Sequence, residues 1–96
     1  MIEKRDVFVQ KVKAKLDEWN AEIDHLSARA EQAGAEAKGE YRRELEELRH
    51  KRDEARLKLK KLEQAGEGAW KDLQAGAEMA ASALSEALKS VRQRFK

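Results

Sequence analysis

Apolar or small residues return every three or four positions along the first two thirds of the chain: Ile2, Val9, Val12, Leu16, Trp19, Ile23, Leu26, Ala30, Ala33, Ala37, Tyr41, Leu45, Leu48, Ala55, Leu59 and Leu62. Arg5 and Arg52 fall in the same phase. This spacing gathers the apolar side chains on one helical stripe and predicts coiled-coil-like packing of helices. No proline interrupts the pattern, and Ala, Leu, Glu, Lys, Gln and Arg, all strong helix formers, dominate it.

Two glycine pairs punctuate the stripe, and they predict different things. Between Ala28 and Arg52 there is no Ser, Thr, Asn, Asp or Pro, so a loop around Gly34 and Gly39 would lack the residues that cap helices and build turns. The steps Ala33, Ala37, Tyr41, Leu45 are three spacings of four in succession, a stutter that relaxes a supercoil without ending the helix. The reading is therefore one long helix over about 2–65 with a soft spot at 34–39. At Gly66-Glu67-Gly68 two glycines in three positions allow a left-handed cap followed by a new start, which predicts a turn at 66–68.

Beyond that turn the chain becomes rich in alanine. Ala69, Trp70, Leu73, Ala77, Ala80, Ala81, Leu84, Ala87, Leu88, Val91 and Phe95 form a broad apolar face of a third segment, 68–95. Folded back, it sets Leu73 near Leu62, Ala77 and Ala80 near Leu59 and Ala55, Ala87 near Leu48, and Phe95 near Tyr41. Small side chains then face large ones, the pairing that lets two antiparallel helices approach closely.

At about 1.5 Å per residue the third segment is roughly 42 Å long and covers only the second half of a long helix of roughly 96 Å. Val9, Val12, Leu16, Trp19, Ile23 and Leu26 stay bare. This six-residue stripe is the candidate self-association seam, and the fold class it implies is all-α, a long helix plus a shorter antiparallel one, oligomeric and most simply a symmetric dimer. The alternative is a monomeric three-helix bundle of arms 2–33, 40–65 and 68–95, bent at 34–39. Either way residues 1–96 make a single domain.

Composition narrows the function classes. Charged residues are 42% of the chain and aromatics 5%, so the apolar material suits narrow seams better than a thick core. The net charge of +2 is spread over 21 basic and 19 acidic side chains. No basic face of the kind nucleic acid needs stands out, since Arg52, Arg56, Lys58, Lys60 and Lys61 are diluted by Glu54 and Glu63. There is no cysteine, hence no thiolate chemistry. The start lacks the apolar core of a secretory signal and no run is long enough to span a bilayer, which makes the cytoplasm the expected location.

One chemical coincidence is Glu22-x-x-His25 with Glu47-x-x-His50, a doubled form of the unit that di-iron bundles use. On the helical wheel both imidazoles point away from the seam, so the expectation is no metal site, no cofactor and no catalytic residue. Arg52, in a seam position where leucine would fit, either covers apolar surface with its stem, stacks on an aromatic such as Trp19, or sets helix register. Leu57 and Val7 point outward.

The segments 15–24 (KLDEWNAEID), 41–55 (YRRELEELRHKRDEA) and 69–78 (AWKDLQAGAE) resemble a family of small coiled-coil proteins of cyanobacteria and proteobacteria linked with the salt-stress response. The resemblance spans nearly the whole chain and brings no catalytic residue or cofactor. It implies a noncatalytic role in stress response, exercised through self-association or a protein partner. The rival expectation is reversible binding to a membrane surface through helix 68–95, whose lipid-facing candidates would be Trp70, Leu73, Leu84, Leu88 and Phe95.

Overall fold

The computed structural model describes residues 4–94 and folds them into three helices, α1 (Lys4–Glu31), α2 (Ala35–Glu63) and α3 (Trp70–Arg94). Successive helices run antiparallel, so α1 and α3 point the same way. The bundle measures 51 × 22 × 18 Å, close to the length of one helix of this size plus its turns. Asp6, Glu36 and Asp72 lie in the first turns, while Arg29, Lys60, Lys61, Arg92 and Arg94 lie in the last, each sign complementing its end of the helix dipole.

The all-α class holds, and of the two expected arrangements the three-helix bundle fits this structure rather than the long helix over 2–65. α1 ends at Glu31, Gln32 and Ala33 close its last turn by bonding to the carbonyls of Arg29 and Ala30, and Gly34 opens α2. The break therefore lies at 32–34, meeting the expected soft spot only at Gly34, and Gly39 is an ordinary helical residue. Gly34 supplies no side-chain cap, as the missing turn chemistry anticipated. What outweighs that deficit is burial. A lost cap costs about 1 kcal/mol, whereas leaving a large aliphatic side chain in water forfeits about 1.5–3 kcal/mol each, and the fold removes Val12, Leu16, Ile23 and Leu26 from water within one chain.

The second turn comes where expected, between Gln64 and Ala69, but by another route. Gln64 ends α2 in right-handed geometry (φ −89°, ψ −5°) and no described glycine has positive φ, so the left-handed cap is absent. α3 starts at Trp70 and Ala69 is exposed, off the apolar face assigned to it.

The core runs the length of the bundle. α1 contributes Val12, Leu16, Ile23, Leu26 and Ala30; α2 contributes Leu45, Leu48, Ala55, Leu59 and Leu62; α3 contributes Ala77, Ala80, Leu84, Leu88 and Val91. Among the described residues no polar or charged one is buried. Register between α2 and α3 follows the small-against-large reading: the Tyr41 hydroxyl donates to the Arg94 carbonyl over 3.4 Å, one residue from the pairing of Tyr41 with Phe95, a residue outside the described range.

Candidate interaction surface

Each member of the candidate self-association seam sits on α1 and faces its own chain. Val12, Leu16, Ile23 and Leu26 are core residues, and Val9 and Trp19 are half-buried against that core. Three polar contacts hold α1 in register with α2. Lys13 and Glu63 pair at 2.9 Å, the Arg49 guanidinium donates to the Ser27 hydroxyl at 3.0 Å, and Arg52 donates to the Asn20 side-chain oxygen at 2.8 Å. Arg52 thus ties α2 to α1 at Asn20. It does not stack on Trp19, whose ring is approached by the Lys15 ammonium at 5.9 Å, while Asp53 holds the rest of its guanidinium at 3.0–3.1 Å.

The turn between α2 and α3 is clamped by α1. The Arg5 guanidinium lies 4.6 Å from the centre of the Trp70 ring and also donates to the Ala65 carbonyl at 2.6 Å. Phe8 meets the same indole edge-on, with centroids 6.1 Å apart. A cation over an indole face and an aromatic edge against it are both favourable placements. Arg5, an off-type residue in an apolar phase, was the only hint of this clamp in the sequence.

At the other end Arg92 of α3 pairs with Glu22 of α1 at 2.6 Å, and Arg94 pairs with Glu44 of α2. Only 12% of the Glu44 side chain is exposed, and its second oxygen is buried with no partner in the protein. Glu44 lines an open hollow with Glu40, Arg43, Glu46, Glu47, His50 and Arg94. Nothing in the heptad pattern distinguished Glu44 from its neighbours. His50 and His25 are both exposed, on opposite sides of their seams as the wheel placed them.

The outside of the bundle is dense in charge, but α1 exposes Val7, Ala14, Ala21 and Ala28 at seven-residue spacing, and α3 carries a second uncharged stripe. There Ala75, Met79, Ser82 and Ala83 are exposed on one stripe between Asp72 and Glu86, and at 72% Met79 is the most exposed large apolar side chain described. Leu57 and Val7 are the others, 54% and 41% exposed, each alone on its helix. Single exposed apolar residues are ordinary; a methionine set among small uncharged ones makes a flat helix face that another helix can approach closely. No helix of the described residues is long and apolar enough to cross a membrane.

Comparison with known proteins adds no relative: no family model, curated protein or solved structure matches the chain.

Proposed function

We propose that this chain is a noncatalytic three-helix protein that works by helix-surface association, with a second copy as the occupant of the outer α3 face, in the stress-response setting its sequence resemblance implies. The observation that carries the association reading is the uncharged stripe centred on Met79, the most exposed large apolar side chain described. Two α3 helices crossing antiparallel at Met79 bring Ala75 of one copy against Ala83 of the other, so small residues flank the central methionine. In that register Asp72 of one copy lies opposite Glu86 of the other, and Lys71 and Lys89 at the edge of the contact offset the two carboxylates.

Sedimentation velocity across a concentration series tests this. The wild type is expected to associate reversibly and Met79→Glu to lose that association while keeping its helicity, because like charges would meet at the centre of the pair. An unchanged association in Met79→Glu would remove the α3 face from consideration. The stress role is tested separately, by growth at raised salt of a strain lacking the gene, with and without the wild-type copy restored.

The membrane-surface alternative has a steeper requirement. Leu84 and Leu88, on which it depends, are fully buried against α1 and α2, so α3 would have to leave the bundle before its apolar face met lipid.

A further inference from the structure

We propose that the chain has a second, domain-swapped state: the turn at 32–34 straightens, α1 and α2 join into one helix over residues 4–63, and two copies pair antiparallel, each lending its α1 to the other. The partner is a second copy of this chain, and the contacts it makes are those α1 now makes within its own chain. This state is separate from the α3 face, which stays on the outside in both forms.

Three observations lead to it. The first is how little separates the backbone of the turn from a helix. Gly34 has φ −63°, already helical, and ψ 158°; rotating that one ψ to about −42° gives it α-helical dihedrals. The turn has no side-chain cap and no positive φ. A Cβ on Gly34 would meet nothing within 4 Å. Residues 28–40 are otherwise Ala, Arg, Glu, Gln and Lys apart from Gly39, so a straight helix there is favoured by propensity.

The second is that the seam continues in phase through the break. Ala30 and Leu45 are buried, and Ala33, Ala37 and Tyr41 between them are half-buried. A helix carried through 32–34 keeps these on one side, facing whatever covers α1 and α2.

The third is the register of α1 on α2. Halfway in number between the members of the pairs 13/63, 27/49 and 20/52 lie residues 38, 38 and 36. Two straightened helices that keep this register in trans therefore cross at Ala37, a small residue that permits close approach. Glu31, which now spans the turn to reach Lys38 and Arg42 at 3.7 Å, would meet Arg42 of the second copy, twice by symmetry. Since the swapped contacts repeat the closed ones, the balance between states rests on the turn and on the entropy of association. Short turns of this kind are where swapping begins.

The test uses the full chain, which has no cysteine of its own. Lys13→Cys with Glu63→Cys places two thiols across the α1–α2 contact for a short bismaleimide, which links them within one chain in the closed form and between chains in the swapped form. In this background Gly34→Ala is expected to tighten dimerisation by about 30-fold, because one glycine per chain enters a helix only in the dimer, and the linked product runs at twice the mass. Gly39→Ala is the control, being helical in both states, and leaves the balance unchanged. Ala35→Pro locks the closed form, since proline suits the first helical position and Gly34 already has the extended ψ a preceding residue needs; Gly34→Asp does the same by adding a cap. Gly34→Ala remaining a monomer at wild-type helicity would overturn the proposal. So would a dimer whose link stays within each chain, the result expected if closed bundles merely dock through α3. Met79→Glu should leave the swapped dimer intact, so the two associations fail independently.

Discussion

At the scale of single residues, burial decides what a substitution costs. Ile23 is fully buried between helices, and Ile23→Ala is expected to cost about 2–5 kcal/mol through lost transfer energy and the cavity left behind. Met79→Ala, at a side chain mostly in water, should stay within about 0.5 kcal/mol; chemical denaturation of the two variants checks the contrast. Arg94→Ala is the less obvious case. It removes the cation from Glu44 and leaves a nearly buried carboxylate, one of whose oxygens already has no protein partner, so it should destabilise by about 1–3 kcal/mol. Arg94→Ala combined with Glu44→Leu, which replaces the carboxylate by an apolar side chain of similar reach, should recover most of that loss. Equal losses in the single and double variants would show that the pair matters for something other than burial of the acid.

At the scale of elements, the clamp on the second turn carries a prediction of its own. Trp70 is held by Arg5 and Phe8 from α1, although its own helix packs first on α2. Arg5→Ala and Trp70→Ala should each destabilise the bundle, and their effects should be less than additive, with a coupling of about 0.5–2 kcal/mol in a double-mutant cycle; full additivity would mean that the stacked geometry contributes nothing. This element scale is also where legibility in the sequence divides. The three apolar stripes and the outward histidines follow from periodicity alone, because a 3.6-residue repeat maps directly onto a face. The turn at 32–34 was not legible from local chemistry, since Gln32, Ala33 and Gly34 offer no capping side chain and every neighbour favours helix. What breaks the helix is the uncovered stripe from Val12 to Leu26 seeking burial, a tertiary cause that local propensity does not contain. The stripe from Val9 to Leu26 is apolar in the sequence, and only the path of the chain shows that within one copy it packs into the core while Ala75, Met79 and Ala83 remain outside.

At the scale of the whole molecule, the way ionic strength acts on the fold bears on the stress role proposed above. Cross-helix pairs such as Lys13–Glu63 and Arg92–Glu22 have at least one partner well exposed, and exposed pairs contribute about 0–1 kcal/mol each before screening. The net charge of +2 comes from 21 and 19 opposed charges, so there is little overall repulsion for salt to relieve. Among the described residues fifteen apolar ones form the buried core, and burial of apolar surface is not weakened by sodium chloride as ion pairs are. Raising the salt from 0.05 to 1 M should therefore move the Tm by less than about 8 °C, the shift that roughly 1 kcal/mol produces in a domain of this size. A fall of twice that would mean the surface pairs, not the seam, hold the helices together. If the core governs stability, then any response to salt belongs to the proposed α3 association, where screening would change how Lys71, Asp72, Glu86 and Lys89 of one copy meet those of another. The same salt series read by sedimentation should then show the oligomer balance shifting while far-ultraviolet circular dichroism stays constant.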